Sequence, residues 1–233
     1  MPAAIPLSSM ITSVRRRANI ENQTSFIPDA EITEYLNAGL ASLYDMLVQA
    51  GGQQWDRKSV TFSTVSNTGF YSWATTGATD MYLLQSVDIQ LGGTNAPTIS
   101  ARPFMEFERN RYKYFPGWTF NTPIFYRQHG AGVDFIPMPN GAFSITLNYY
   151  PVFVLLVNGA DTFDGVNGWE EYAIWKAVAD CRGKGDEDPS YALSKVASLE
   201  TKIQALAEQR DTGAPERMQE TFAEVPWDFS TGR

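Results

Sequence analysis

The hydrophobic period changes twice along the 233-residue chain, and this change constrains the fold more than any other feature. Before Trp55, apolar residues recur every three or four positions, which is typical of amphipathic helices. From Trp55 to Val157, apolar and polar residues alternate and turn residues separate the runs, which is typical of half-buried strands. The helical period returns at Gly168. This order excludes a purely helical or purely β chain and predicts an α+β protein.

Two helices are predicted before the β region. The first covers residues 7–18, with Ser8 or Ser9 as its N-cap. The second starts with Asp29 as its N-cap and ends at Gly51-Gly52, because glycine commonly terminates helices.

Two further helices are predicted after the β region. One runs from Gly168 to near Gly183, with Glu170 and Glu171 complementing its N-terminal dipole. The next follows an acidic turn, with Asp188 or Ser190 as its cap. Its apolar seam has steps of four, three, four and three and consists of Ala192, Val196, Leu199, Ile203 and Leu206. We expect both chain ends to form one antiparallel helical bundle.

The β region is expected to be an inserted antiparallel domain. A change of parity between Leu84 and Val87 predicts a bulge, and Gly92-Gly93-Thr94-Asn95 predicts a hairpin turn. Arg102–Tyr112 is expected to form one or two helical turns. Strands are expected at residues 60–64, 69–73, 80–91, 97–101, 123–128, 132–137 and 143–149. The predicted organisation is a helical domain of residues 1–54 and 158–212, a β domain of residues 55–157, and an extended C-terminal tail of residues 213–233.

The composition argues against several classes of function. The net charge of −8 disfavours tight binding to a phosphate backbone. The longest apolar run, Pro151 to Val157, is far shorter than the roughly 20 residues of a membrane span. A single cysteine, Cys181, and a single histidine, His129, cannot make a protein-only zinc site or an intrachain disulfide. We expect Cys181 to be an inert core thiol and His129 to be structural or solvated, with no catalytic residue, metal or cofactor.

Two sets of residues are candidates for binding a partner. Arg15-Arg16-Arg17 is the densest basic cluster, and it predicts either a solvated helix face or contact with an acidic surface. The tail is net acidic, with five acids against two arginines from Asp211 onwards, yet it carries Met218, Phe222, Trp227 and Phe229. Such a segment is expected to become ordered by docking, either on a partner or on its own domain.

Three groups of motifs carry a family resemblance, which covers roughly residues 7–210. The first is Ile27-Pro28-Asp29-Ala30-Glu31-Ile32, followed by Leu36-Asn37. The second is Phe135-Ile136-Pro137-Met138-Pro139, followed by Ile145 to Pro151. The third is Trp169-Glu170-Glu171-Tyr172-Ala173, followed by Gly185-Asp186 and Tyr191-Ala192. In this order and spacing, the chain resembles the head-to-tail adaptor (connector or neck) proteins of tailed bacteriophages.

The resemblance implies a structural, non-enzymatic virion protein at the head–tail junction, made in the host cytoplasm. About twelve copies would form a ring that joins the portal protein to tail or nozzle proteins and continues the DNA channel, with genomic DNA passing only transiently. An acidic channel wall would repel passing phosphates. The portal-side contacts would come from Arg15, Arg16 and Arg17 and from the four apolar tail residues. Contacts with the tail or a neighbouring subunit would come from Tyr112, Tyr114, Phe115, Trp118 and Phe120.

Two alternatives stay open from the sequence. The same aromatic loop, residues 112–120, could make the β region a carbohydrate- or peptide-binding module on a helical support, because flat aromatic rings stack on sugars. The chain could also be another neck or tail ring component, such as a stopper or nozzle.

Overall fold

The computed structural model describes residues 3–50, 57–92, 96–114, 117–119, 121–165 and 168–209 and has an α+β fold. The helices of this part of the chain are α1 (Leu7–Ala18), α2 (Asp29–Gln49), α3 (Trp73–Thr76), α4 (Glu106–Tyr112), α5 (Glu170–Lys184) and α6 (Ser190–Gln209). Its strands are β1 (Ala3–Pro6), β2 (Lys58–Ser63), β3 (Phe70–Ser72), β4 (Met81–Gln90), β5 (Thr98–Ser100), β6 (Arg102–Pro103), β7 (Phe125–His129), β8 (Gly132–Ile136), β9 (Ser144–Pro151) and β10 (Thr162–Gly165). The change of hydrophobic period therefore predicted the α+β class correctly.

The helices α1, α2, α5 and α6 share one hydrophobic core. Leu36, Leu40 and Leu43 of α2 are fully buried there, together with Met10 of α1 and Ile203 of α6. Helix α5 lies at the centre of this arrangement, because it contacts α1, α2 and α6. Residues distant in the sequence thus bury their apolar faces against one another, which is the main source of helix stability in proteins.

A second core lies among the strands. One sheet has the order β2-β9-β4-β5, and another has the order β3-β8-β7-β6. Within the described residues β6 pairs with β7 in parallel, whereas the other strand pairs are antiparallel. Val87, Ile89, Ile145 and Leu147 are fully buried in this core. The predicted strands and the short helix α4 are present, and the predicted bulge is confirmed by the register shift between Leu84 and Ser86.

A small contact joins helix α2 to strands β4 and β9. The Tyr44 hydroxyl donates a hydrogen bond of 2.6 Å to the carbonyl oxygen of Pro151. The Tyr82 hydroxyl donates a 2.9 Å hydrogen bond to Asp45. The Tyr44 ring lies 5.9 Å from that of Phe153 and 6.2 Å from that of Tyr82. This aromatic contact fixes the start of the segment that follows β9.

The predicted helix caps were partly wrong. Helix α1 begins at Leu7 after Pro6, and the amides of Leu7 and Ser8 donate to the carbonyls of Asp161 and Gly159, so neither Ser8 nor Ser9 is the N-cap. The N-cap of α2 is Pro28, and Asp29 is the first helical residue. The prediction for the last helix holds in part, because Asp188 accepts a 2.9 Å hydrogen bond from the amide of Ser190.

The apolar seam of α6 departs from its prediction at the C-terminal end. Leu206 is 38% exposed, whereas Ala207 is 2% exposed. The step from the buried Ile203 is therefore four residues rather than three, which follows the 3.6-residue period of an ordinary helix. The pairing of β1 with β10, which places Ile5 opposite Phe163, was also not predicted.

Candidate partner-binding surfaces

The arginine cluster is not a continuous exposed basic face. Arg15 is 9% exposed, and its guanidinium lies between the ends of α1 and α2. Its Nη2 donates to the carbonyl of Ile27 at 2.9 Å and to the carboxylate of Asp29 at 2.6 Å, and its Nε also donates to Asp29 at 2.9 Å. Arg15 therefore holds the fold together, and Asp29 serves as its counterion rather than as a helix cap.

Arg17 also makes internal contacts. Its guanidinium donates two hydrogen bonds to the carboxylate of Glu171, and its carbon Cζ lies 5.0 Å from the centre of the Trp175 ring. The hydrogen bond with Glu171 raises the pKa of Arg17 above its ordinary value. Arg16, by contrast, has a side chain that is 72% exposed and only a loose contact of 3.6 Å with Glu21. Arg16 is the member of the cluster best placed to meet a partner.

The aromatic loop splits into buried and exposed residues. Trp118 is 3% exposed, its Nε1 donates a 2.6 Å hydrogen bond to the carbonyl of Pro137, and its ring stacks on Phe143. Trp118 was predicted from the sequence as a contact or sugar-stacking residue, but its indole is buried in the β core. Tyr112 packs on Phe125 with ring centroids 4.8 Å apart, whereas Tyr114 is 85% exposed. Phe115 and Phe120 lie outside the described residues.

An exposed apolar segment follows β9, and it was not assigned to any site from the sequence. Its exposed side chains are Val152, Val154, Leu155 and Val157, with exposed fractions of 52%, 77%, 60% and 74%. Four exposed apolar side chains within six consecutive residues are typical of an interaction surface. We call these four residues the apolar segment.

Asn37 on α2 fixes this segment by pairing with its backbone. The Nδ2 of Asn37 donates to the carbonyl of Leu156 at 2.9 Å, and its Oδ1 accepts from the amide of Leu156 at 3.0 Å. Leu156 itself is buried in the helical core. Asn37 is a polar residue within the apolar run of α2, and this position could have indicated such a pairing. A side-chain amide has a donor and an acceptor, so it can make both hydrogen bonds that a neighbouring strand would make to one residue.

A cleft between α4 and β8 forms a second candidate surface. It has a volume of about 260 Å³, and it is lined by Gly69, Phe70, Phe104, Arg109, Lys113, Asp134, Phe135, Ile136 and Met138. Phe70 and Met138 are 44% and 48% exposed at its edges. Arg109 and Lys113, four residues apart, supply positive charge, while the carboxylate of Asp134 is hydrogen-bonded to Nε2 of His129 at 2.8 Å. This cleft was not predictable from the sequence, because its walls come from segments distant along the chain.

The other candidate residues lie where the sequence placed them or outside the described part. Cys181 is 1% exposed, and burial raises the pKa of its thiol to about 11, so it remains a protonated core residue at neutral pH. The tail residues Met218, Phe222, Trp227 and Phe229 lie outside the described residues. Among the residues that the structure describes, no group of three or more His, Cys, Asp or Glu side chains is placed to hold a metal ion.

No helix in the described ranges of the chain is long and apolar enough to cross a bilayer.

Comparison with known proteins did not identify a relative. No protein-family model matches the chain, and a search of curated proteins gave no match either.

Proposed function

We propose that this chain is a structural virion protein, a head-to-tail adaptor that assembles as a ring of about twelve copies beneath a phage portal. The apolar segment is the observation that carries the proposal most directly. Its valine and leucine side chains are 52–77% exposed, and contact of these apolar groups with water is unfavourable in a monomer. In a ring, a neighbouring subunit would bury them. The motif order described for the sequence supplies the choice of family.

The shared core of α1, α2, α5 and α6 supports the same proposal. An adaptor of this kind would form an antiparallel bundle from α1 and α2 of one chain end and α5 and α6 of the other, with the β region inserted between them. Asn37 belongs to the Leu36-Asn37 motif of the resemblance, and it positions the apolar segment through Leu156. One motif residue thereby links the second helix to the surface proposed for contact between subunits.

The portal contact in this proposal involves Arg16 and the C-terminal tail. Arg16 is the exposed member of its cluster and would meet an acidic surface, with an effect on binding that is strongest at low salt. Phe222, Trp227 and Phe229 would be the buried aromatic anchors, a residue type that often dominates interface energy. The acidic chain suits the wall of a DNA channel, where attraction to phosphates would slow passage.

The burial of Trp118 weighs against the carbohydrate-binding alternative. A ring that is 3% exposed and stacked on Phe143 presents no flat face on which a sugar could stack. The adaptor is therefore the function we propose.

Mass photometry of the purified chain, alone and with the portal ring from the same genome, tests the proposal. We expect a gain of about 310 kDa on the portal, which corresponds to about twelve copies of the 26.0 kDa chain. The double substitution Val154→Asp and Leu155→Asp should abolish this gain, because it places charges in the proposed subunit contact. The control, Leu193→Asp on the exposed face of α6, should leave it unchanged. A portal ring that gains no mass from the unmodified chain would contradict the adaptor function.

A further inference from the structure

The cleft between α4 and β8 has the shape of a site for an aromatic anchor. At about 260 Å³ it is below the roughly 300–1,000 Å³ of pockets that enclose small ligands. Its apolar lining includes Phe104 and Ile136, each 8% exposed, and Phe70 and Met138, which are half-exposed. A cleft of this kind suits one or two large side chains from a peptide, which would cover the exposed parts of Phe70 and Met138.

The charges at this cleft select an acidic occupant. Arg109 has a side chain that is 51% exposed, and its contact with Glu106 is only 3.5 Å, at the limit of a hydrogen bond. Lys113 lies one helical turn further along and stands 5.7 Å from the ring of Tyr114. Asp134, the acid among the lining residues, is already paired with His129. Two exposed cations beside apolar walls favour a peptide that combines aromatic and acidic residues.

The chain itself contains such a peptide. Residues 222–229 place Phe222, Trp227 and Phe229 together with Glu224 and Asp228, and they contain no basic residue. They lie beyond Gln209, the last described residue of α6. From Gln209 to Phe222 an extended chain spans about 45 Å, whereas a globular chain of this length has a radius of gyration of about 17 Å. The segment is therefore long enough to reach across its own domain or to a neighbouring copy.

We propose that this cleft binds residues 222–229 of this chain, which we call the C-terminal anchor. An aromatic side chain of the anchor fills the apolar part of the cleft, and Glu224 and Asp228 face Arg109 and Lys113. Binding in the cleft would remove aromatic side chains of the anchor from water. This inference depends on the cleft and the tail sequence and not on the adaptor function.

Photo-crosslinking in the full-length chain tests the proposal. Trp227 is replaced by p-benzoyl-L-phenylalanine, the protein is irradiated, and the crosslinked peptides are identified by mass spectrometry. We expect the products to map to residues 69–70, 104–113 and 134–138. A product with the mass of one chain places the anchor in its own cleft, and a product with twice that mass places it in the cleft of a neighbouring copy. Either result supports the proposal.

Charge reversal supplies the decisive comparison. Arg109→Glu combined with Lys113→Glu should lower the yield of these products by about fivefold, as expected for two partly exposed charge pairs. Arg111→Glu is the matched control on the same helix, because Arg111 does not line the cleft, and it should leave the yield unchanged. Adding Glu224→Lys and Asp228→Lys to the first variant should restore the yield. Products that map elsewhere, or a yield that does not change on charge reversal, would overturn the proposal.

Discussion

Arg15 is a buried cation whose hydrogen bonds go to the backbone carbonyl of Ile27 and to the carboxylate of Asp29. Its guanidinium joins α1 to the turn before α2 by donating to the carbonyl of Ile27. The carboxylate of Asp29 neutralises the charge of the guanidinium. A buried guanidinium costs several kcal/mol to desolvate unless such hydrogen bonds are made. The basic residue that the sequence suggested for a partner is thus a structural one.

Replacing Arg15 by methionine should destabilise the protein by about 2–4 kcal/mol, because the carbonyl of Ile27 loses its charged donor and the end of α1 loses its contact with Asp29. Arg16→Met is the matched control and should change the free energy of unfolding by less than about 0.5 kcal/mol, since Arg16 is exposed. Urea unfolding followed by circular dichroism measures both. Equal effects of the two substitutions would contradict the structural role of Arg15.

Tyr149 makes stability depend on alkaline pH. Burial, together with the hydrogen bond that its hydroxyl donates to Asp80 at 2.7 Å, raises the pKa of Tyr149 to about 12. In the unfolded chain this proton is lost near pH 10. Between these two values the folded state binds more protons than the unfolded state, so stability is full below pH 10 and falls as the pH rises towards 12.

Tyr149→Phe should reduce this alkaline loss of stability, because phenylalanine has no proton to release. The measurement is the urea midpoint at pH 9 and at pH 11.5 for the two proteins. The midpoint of the unmodified chain should fall further than that of the variant. Tyr114→Phe, which removes an exposed hydroxyl, should behave like the unmodified chain. An identical fall in Tyr149→Phe and in the unmodified chain would exclude this role.

At the scale of elements, α2 and α5 approach each other closely at Gly39. A Cβ atom added at Gly39 would lie 2.9 Å from the Cα of Ala173 and 3.2 Å from its carbonyl oxygen. These neighbours are backbone atoms of a packed helix, so they cannot move aside cheaply. The small residue at position 39 therefore sets the distance between the two helices that contribute most to the helical core.

Gly39→Ala should destabilise the protein by about 1–3 kcal/mol, because the steric cost exceeds the gain of about 1 kcal/mol in helix propensity. Gly183→Ala on α5 is the matched control, since a Cβ there has no neighbour within 4 Å. It should stabilise the protein by about 0.5–1 kcal/mol. Thermal unfolding of both variants would show changes of opposite sign, and a stabilised Gly39→Ala protein would refute the close contact.

The elements were predictable where local pattern determines them. The four long helices and the bulge near Leu84 follow from the spacing of apolar residues, which burial enforces directly. The pairing of β1 with β10 was not predictable in this way, because it depends on a contact between residues about 160 positions apart. The predicted N-caps of α1 and α2 were wrong for the same reason. The first amides of α1 donate to distant carbonyls, and the carboxylate of Asp29 accepts from Arg15.

The candidate surfaces were less predictable than the fold. The run from Pro151 to Val157 is visible in the sequence, but only the structure shows that four of its side chains are exposed while Leu156 is buried against α2. Likewise, Trp118 and Tyr114 are both aromatic residues of the same loop, yet Trp118 is buried in a core and Tyr114 faces solvent. Exposure depends on the assembled fold, so the residue types alone could not separate them.

At the scale of the whole molecule, the C-terminal anchor connects the two proposals. The anchor cannot occupy the cleft and a portal at the same time, because both sites would use Phe222, Trp227 and Phe229. If both proposals hold, the cleft competes with the portal for the same segment. Loss of anchor binding in the cleft would then increase the fraction of chains whose anchor is free to bind the portal.

Two variants with opposite expected effects test this competition in a portal-binding assay by mass photometry. Removing residues 213–233 should weaken binding to the portal strongly, because the aromatic anchors are lost. Arg109→Glu with Lys113→Glu should instead strengthen binding by a few-fold, because the anchor is released from the cleft, and Arg111→Glu should have no effect. Strong binding after the deletion would show that the anchor does not contact the portal. Weaker binding in the double variant would show that the cleft faces the portal itself rather than competing with it.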